Sequence, residues 1–355
     1  MVSRSFRLLL LTIASAIALA SCSSAPAPAP TTSGSSSPSA AATTPAELTP
    51  VSLALSWTPN TDYTGVYVAQ QKGYYAAQGI QLKILPYAST APETLVASGA
   101  ADFGFSYQAG VTYARAAGQD VVSVFAPNQK GTYAIGVAAT RADITRPRDL
   151  DGKIYAGFGT PDELPLLRTI IRNDGGKGEF TNVTLDTTAY EAVSNGTADF
   201  TIPVATWDAV QAKAAGKPMK LFALTDYGFP DQYSVLIVTS GAYLTGNADV
   251  ARRFVAATQQ GYAFAVADPA AGAQAMVDAD PNSFPNPELV AASERMLVDG
   301  GYRTDANGIV GTQQLERWTK YGEFLYRNKL LADSTGAPLT TEPDWATYFT
   351  NELMP

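Results

Sequence analysis

Aromatic and amide side chains gather just after the first predicted strand, in the segment SWTPNTDYTGVYVAQQKGYY at residues 56–75. Indole and phenol faces stack on flat rings, and an amide both donates and accepts hydrogen bonds. Trp57, Asn60 and Tyr63 are therefore predicted to line a pocket for a flat, polar molecule. Each has a structural alternative: Trp57 as a cap on the sheet, Asn60 as a helix cap, and Tyr63 as packing for the next helix.

Other polar and aromatic residues follow later predicted strands. Ligands of open α/β sheets bind beyond the carboxyl ends of the strands, so this position selects the candidates. The predicted ligand-binding set is Trp57, Asn60, Tyr63, Tyr87, Tyr107, Gln108, Thr160, Glu163, Trp207, Asp208, Asp226 and Tyr233. Glu163 has the alternative of interacting only with the helix dipole, and Trp207 with Asp208 could begin an ordinary amphipathic helix.

The chain contains no histidine and a single cysteine. This composition excludes Ser-His-Asp and Cys-His nucleophiles, His-ligated zinc and a disulfide framework. We therefore predict a protein that is not an enzyme and that uses no metal and no cofactor. Paired carboxylates leave one enzymatic alternative, acid–base chemistry by Glu163 and Asp208.

The overall charge is acidic, with 24 Lys and Arg against 32 Asp and Glu and a formal net charge of −8. No basic patch with interleaved aromatic residues is present in the sequence. Because nucleic-acid binding depends on clustered Lys and Arg, this pattern argues against a nucleic-acid partner.

The N-terminus has the pattern of a secretory signal. Arg4 and Arg7 precede an apolar run at residues 8–20, which is too short to span a membrane. Small residues then lead to Cys22, as in a bacterial lipobox. We predict a signal peptide at residues 1–21 and a lipidated Cys22 that anchors the protein to the outer face of the cell membrane. The alternative is a plain secretory signal with an incidental cysteine.

Residues 22–48 are predicted to form a disordered tether behind this anchor. After Cys22, the segment SSAPAPAPTTSGSSSPSAAATTPAEL consists almost wholly of Ser, Ala, Pro and Thr. Such a composition buries too little apolar surface to offset the loss of chain entropy. The globular part should therefore begin near residue 49.

From there, short apolar strands alternate with helices, which predicts an α/β fold with mainly parallel sheets. The predicted strands of the first unit are residues 51–56, 80–85, 102–106 and 121–126, with a helix at 63–78. A second unit of the same kind follows, and the strand at 233–240 returns to the first. We predict lobe 1 at residues 49–133 plus 240–355, lobe 2 at 134–239, and two crossings that form a hinged cleft.

The chain resembles the binding proteins for thiamine pyrimidine precursors, a group within the sulfonate, nitrate and pyrimidine binding proteins of ABC importers. The segments that carry the resemblance are LALSWTPNTDYTGVYVAQQKGYYAAQGI, ADFGFSYQAG, DLDGKIYAGFGTPDE, TDYGFPDQYSVLIVT, ARRFVAATQQGYAFAVADPAAGA and YFTNELMP. The resemblance implies a periplasmic-binding-protein-like fold of type II and a monomer that closes over a small heterocycle. It also implies an ABC permease with its ATPase as partners.

The resemblance supports a role in binding for Trp57, Asn60, Tyr107, Thr160 and Glu163. Tyr63 is a departure, because family members commonly have His at this position. Fungal relatives that synthesise the pyrimidine depend on histidines and a metal, so the resemblance does not extend to synthase activity here.

The charges near the strand ends favour one class of ligand. These segments contain no Arg or Lys but several carboxylates, among them Asp62 and Asp231. Anion binders need donors around the anion, whereas carboxylates suit a neutral or weakly basic heterocycle that donates hydrogen bonds. We predict an aminopyrimidine ligand. The alternatives are riboflavin or another heterocycle, then a sulfonate, nitrate or taurine, and outside this class an acid–base enzyme or a structural surface lipoprotein.

Overall fold

The computed structural model describes residues 47–355, so the predicted signal peptide, Cys22 and nearly all of the tether lie outside the described residues. Two five-stranded sheets organise the described chain into two lobes, confirming the predicted α/β class. The strands are β1 (Thr49–Ala54), β2 (Ile80–Leu85), β3 (Phe103–Tyr107), β4 (Val122–Phe125), β5 (Ala134–Ala138), β6 (Ile154–Gly157), β7 (Thr181–Thr184), β8 (Phe200–Thr201), β9 (Met219–Ala223) and β10 (Ser234–Thr239).

Helices connect these strands and form a C-terminal layer. They are α1 (Thr64–Gln71), α2 (Tyr74–Ala77), α3 (Pro92–Ala97), α4 (Gln108–Ala116), α5 (Glu163–Asn173), α6 (Ala189–Ser194), α7 (Asp208–Ala214), α8 (Gly241–Ala267), α9 (Pro269–Ala279), α10 (Pro287–Asp299) and α11 (Leu315–Arg327). Among residues 47–355, no helix combines the length and apolar character needed to cross a membrane.

The two sheets share one arrangement. The first has the order β2-β1-β3-β10-β4, and the second has the order β7-β6-β8-β5-β9. In each sheet one strand runs antiparallel to both of its neighbours, β10 in the first and β5 in the second. These are the strands that follow the two crossings between the lobes. A chain arriving from the other lobe enters the sheet from the cleft side, so its strand runs opposite to the others.

Strand β10 differs from the predicted lobe boundary. The prediction assigned residues up to 239 to lobe 2, but β10 pairs with β3 and β4 in the first sheet. All six of its residues are buried, as expected for a strand in the middle of a sheet. The return crossing therefore ends before Ser234, and the other lobe boundaries stay a prediction.

The first loop is shaped by a short turn. The predicted helix at residues 63–78 is split at Gly73, whose φ of +75° ends α1 before α2 begins. A 3-10 turn at Thr61–Tyr63 precedes α1, and the Asn60 side chain accepts from the backbone N–H of Asp62. This turn brings the segment after β1 back over the end of the first sheet.

A close helix crossing fixes the position of α1. A Cβ at Gly261 of α8 would collide with the carbonyl oxygen of Gly65 in α1, so only glycine allows this approach. The Tyr262 hydroxyl donates to the carbonyl oxygen of Asp62 at 2.6 Å, just before α1. The C-terminal layer thus holds the loop from β1 to α1 against the first sheet.

Candidate functional site

A cavity of about 320 Å³ lies between the two lobes. Its lining comes mainly from the end of β3, from the loops after β1, β2, β6 and β8, from α6 and from both crossings. The volume is near the lower end of the range of roughly 300–1,000 Å³ for small-molecule pockets. The predicted residues that line it are Trp57, Asn60, Tyr63, Tyr87, Tyr107, Thr160 and Glu163. These seven share one cavity, and their role in ligand binding stays a prediction.

One side of the cavity is an aromatic wall, formed by Trp57, Tyr87, Phe158 and Tyr190. The ring centroid of Trp57 lies 5.1 Å from that of Tyr87, 5.4 Å from that of Phe158 and 6.4 Å from that of Tyr190. Trp57 and Tyr87 follow strands of the first sheet, whereas Phe158 and Tyr190 belong to the second lobe. The half-buried Trp57 indole therefore contacts aromatic rings on both sides of the cleft and offers a surface on which a flat ligand can stack.

The polar part of the lining is acidic. Within the part of the chain that the structure describes, the cavity is lined by no Lys or Arg but by Asp62, Glu93, Asp162 and Glu163. Burial disfavours the ionised form of a carboxyl group that lacks a counter-charge. It raises the pKa of Asp62 to about 6, and it raises the pKa of Glu93 and of Asp162 above the ordinary values.

Two tyrosine hydroxyls of the first lobe donate to carboxylates of the second. The Tyr107 hydroxyl lies 3.2 Å from Oδ1 of Asp162, and the Tyr87 hydroxyl lies 2.9 Å from Oδ1 of Asp186. Burial raises the pKa of Tyr107 well above its usual value, and burial together with Asp186 raises the pKa of Tyr87 to about 12. Both phenols therefore keep their protons at neutral pH and hold the two lobes together across the cavity.

Glu163 shapes the loop after β6. Its Oε2 accepts from the Tyr155 hydroxyl at 2.7 Å and from the backbone N–H of Phe158 at 2.9 Å. Its Oε1 accepts from both the backbone N–H and the hydroxyl of Thr160, each at 2.7 Å. Because both oxygens are occupied, Glu163 acts as a positioning residue that places Phe158 in the aromatic wall.

Asn60 and Tyr63 also have structural contacts. The Asn60 amide accepts from Asp62 and donates to the carbonyl oxygen of Thr58 at 3.0 Å, which matches the helix-cap alternative. The Tyr63 side chain is only 1% exposed, and its ring lies 4.3 Å from that of Phe105. Each residue nevertheless reaches the lining of the cavity, so packing and contact with a ligand are compatible here.

Gln108 and Tyr233 lie outside this lining, contrary to their predicted place. Gln108 accepts from the backbone N–H of Tyr233 at 2.9 Å and donates to the carbonyl oxygen of Arg317 at 3.3 Å. The Tyr233 hydroxyl accepts from the backbone N–H of Gln314 at 2.7 Å, and its ring packs on Trp318. Both side chains thus join the first sheet to α11.

Trp207, Asp208 and Asp226 also lie outside the lining. The edge of Trp207 packs against Phe284, with centroids 6.5 Å apart. Asp208 accepts from the backbone N–H of Val204 at 2.8 Å, in the segment that leads into α7, and burial raises its pKa to about 7. Asp226 is exposed in the 3-10 turn Leu224–Tyr227. A position after a strand did not determine the direction of these side chains.

The lining residues that the sequence analysis missed include Glu93, Tyr133, Asp162 and Tyr190. Glu93 and Tyr190 lie in the first turns of α3 and α6, and Asp162 immediately precedes α5. A search for candidates that continued from each strand end into the first turn of the next helix would have included these three residues. Tyr133 lies in the first crossing, for which the sequence carries no comparable signal.

The carboxylates of the cavity contact hydroxyl, amide and backbone groups. Across residues 47–355, no three or more His, Cys, Asp or Glu side chains cluster in a way that could hold a metal ion. The lining offers aromatic rings for stacking and carboxyl groups for hydrogen bonding.

Comparison with known proteins identifies relatives of this chain. Residues 60–272 match the model of the family described as NMT1/THI5 like. The formylaminopyrimidine-binding protein of Halalkalibacterium halodurans is 28% identical over 282 residues, which cover 78% of this chain and 84% of that protein. The riboflavin-binding protein RibY of Chloroflexus aurantiacus is 27% identical over 321 residues, covering 86% of each chain.

A solved structure shows the same fold. The alkanesulfonate-binding protein SsuA from Xanthomonas axonopodis pv. citri, bound to MOPS, aligns with a TM-score of 0.62 at 16% identity. The alignment covers 81% of this chain and 96% of SsuA. At this identity the likeness concerns the fold alone, and it confirms the predicted periplasmic-binding-protein-like architecture.

Proposed function

Because this chain belongs to the NMT1/THI5 like family, we propose that it is the extracytoplasmic substrate-binding component of an ABC importer. Its ligand in this proposal is an aminopyrimidine that serves as a thiamine precursor. The protein acts as a monomer, its two lobes close over the ligand, and the closed form delivers the ligand to a permease and its ATPase. The ligand stabilises the closed form only to the extent that it binds that form more tightly.

One observation carries the choice of ligand: an aromatic wall and several carboxyl groups share a cavity that has no basic side chain in its lining. A pyrimidine ring is flat and stacks on Trp57, while its exocyclic amine donates to a carboxylate. Aromatic pairs contribute about 0.5–1.5 kcal/mol beyond burial, and a hydrogen bond to a charged group contributes about 1.5–3 kcal/mol. The formylaminopyrimidine-binding relative supports the same class of ligand.

Riboflavin is the second candidate, supported by the riboflavin-binding relative. Its three fused rings would stack well on the aromatic wall. However, the cavity volume of about 320 Å³ suits a single ring better than three rings with a sugar-alcohol chain. The edge of the flavin also presents carbonyl oxygens, which carboxylates repel.

A small anion and a catalytic role have less support. Sulfonates and nitrate need cationic or backbone donors around the anion, whereas the side chains of this cavity are acidic. The named relatives are binding proteins, and this chain lacks the histidines on which much acid–base catalysis depends. Binding without turnover is therefore our proposal.

The membrane anchor is part of the same proposal. A lipid on Cys22, followed by the tether of residues 23–48, would hold the binding domain near its permease. Replacing Cys22 with serine should move the protein from the membrane fraction to the soluble extracytoplasmic fraction of the cells. If the substituted protein stays membrane-bound in the same proportion as the native one, the lipid anchor is wrong.

A thermal-unfolding panel with purified protein tests the ligand. An aminopyrimidine at about a hundredfold excess over its Kd should stabilise the folded state by about 2.7 kcal/mol. Thiamine, riboflavin, taurine and nitrate form the rest of the panel, and calorimetry measures the Kd of every compound that stabilises the protein.

Each other outcome of this panel identifies an alternative. Stabilisation by riboflavin alone would select the second candidate, and stabilisation by taurine alone would overturn the argument from charge. Mass spectrometry of the recovered ligand detects turnover, which would point to an enzyme.

A further inference from the structure

Glu93 has the environment of a residue that recognises part of a ligand. It lies in the first turn of α3 and is 6% exposed, and the surface it retains belongs to the cavity. The Ser106 hydroxyl donates to its Oε1, and besides the backbone N–H of Glu93 itself no other group within residues 47–355 hydrogen-bonds this carboxyl group. Its Oε2 is therefore available to a molecule in the cavity.

The surrounding backbone leaves room for this carboxyl group. A Cβ at Gly110 of α4 would overlap Oε1 of Glu93, so any other residue at position 110 would displace the carboxyl group. Glycine is otherwise unfavourable inside a helix, costing about 0.5–1 kcal/mol relative to alanine. Gly110 is the third residue of α4, and its lack of a side chain leaves this space to the Glu93 carboxyl group.

The charges that face Glu93 are all acidic or neutral. Asp162, from the opposite lobe, raises the pKa of Glu93 further, although burial is the larger cause. Tyr107 and Ser106 supply hydroxyl groups, and no Lys or Arg lines the described cavity. An ionised Glu93 here has no counter-charge from the protein, and a ligand that brings a proton or a positive charge would supply it.

We propose that Glu93 determines specificity by pairing with the edge of a heterocycle where an amine adjoins a basic ring nitrogen. Its Oε2, the oxygen that Ser106 leaves free, accepts from the exocyclic N–H and shares one proton with the adjoining ring nitrogen. This inference rests on the proposed function and adds a particular requirement, namely that the bound ring must be able to accept a proton. A pyrimidinone has a carbonyl oxygen in place of the amine and a ring N–H in place of the basic nitrogen, so it does not meet this requirement.

The experiment compares two ligands that differ only at this edge. Calorimetry measures the Kd of an aminopyrimidine and of the matching pyrimidinone, first with the native protein and then with Glu93→Gln. The native protein should prefer the amine by more than about tenfold, because the other ring leaves buried polar groups unpaired. In Glu93→Gln the preference should fall to within about threefold, because a neutral amide pairs with either edge.

Glu288→Gln is the matched control, because it makes the same chemical change at an exposed carboxylate in the first turn of α10, outside the cavity lining. It should keep the native preference between the two ligands. Glutamine at position 93 can still accept from Ser106, so thermal unfolding should show that the substituted protein folds. Gly110→Ala gives a second check, since it displaces the carboxyl group without removing it and should also reduce the preference.

Two failures are distinguishable. If the native protein binds neither ring, the proposed function fails and this inference fails with it. If the native protein binds the amine but Glu93→Gln keeps the native preference, only the assignment of Glu93 is wrong.

Discussion

Replacing Trp57 with alanine is expected to weaken aminopyrimidine binding by more than about tenfold, or more than about 1.4 kcal/mol, while leaving the fold intact. The indole contacts Tyr87 of its own lobe and Phe158 and Tyr190 of the other. Alanine therefore removes the stacking surface for the ligand and the contacts that join the two parts of the aromatic wall. Because these contacts form where the lobes meet, the loss should appear mainly as faster ligand release.

Calorimetry and stopped-flow fluorescence measure the affinity and the release rate. Trp57→Phe should recover part of the affinity, because a smaller aromatic face remains. Tyr326→Ala is a matched control, since Tyr326 is also a half-buried aromatic residue but lies in α11, outside the cavity lining. An unchanged affinity in Trp57→Ala would return Trp57 to the alternative role of a cap on the sheet.

Selecting residues at the carboxyl ends of strands located the cavity correctly, because in this topology those ends meet at the cleft. Parallel strands bring their carboxyl ends to one edge, so residues after β1, β2, β3 and β6 meet whatever their spacing in sequence. Trp57, Tyr87 and Tyr107 illustrate this. The alternation of polar and apolar runs was also sufficient to predict two α/β lobes, since each sheet must bury its strands beneath helices.

The direction of individual side chains was harder to predict. Gln232 lines the cavity, whereas the adjacent Tyr233 packs on Trp318. Neighbouring residues in extended backbone point to opposite sides, so an error of one residue exchanges a ligand contact for a core contact. Residue type alone does not indicate which of the two faces the cavity, because both residues have types that suit either environment.

Acidic residues near helix starts presented a similar difficulty. Glu93 and Glu163 both lie in the first turn of a helix, where a carboxylate is favourable in any case. Glu163 uses both oxygens within its own loop, while Glu93 keeps one oxygen for the cavity. This difference depends on contacts from β3 and α4, which are remote in sequence, so it required the folded structure.

Replacing Arg303 with methionine is expected to lower the free energy of unfolding by about 3–5 kcal/mol. Arg303 is 1% exposed and pairs with the fully buried Glu294 of α10 at 2.7 Å. Its guanidinium also donates to the carbonyl oxygen of Thr61 at 2.6 Å and to Asn128, which in turn donates to Asp62 at 2.7 Å. Methionine fills similar space but leaves the Glu294 carboxylate buried without its partner.

The same network should connect stability to the site, because Thr61 and Asp62 belong to the turn between Trp57 and α1. Arg303→Met should therefore weaken ligand binding as well, and urea unfolding with calorimetry measures both effects. The double variant Arg303→Met/Glu294→Met should recover much of the lost stability, since it leaves no buried charge unpaired.

Arg327→Met is the matched surface control: it breaks an exposed pair with Glu323 within α11 and should cost less than about 1 kcal/mol. If Arg303→Met costs no more than Arg327→Met, the buried pair does not hold this loop, and the position of Asp62 must depend on Asn60 and Tyr262 instead.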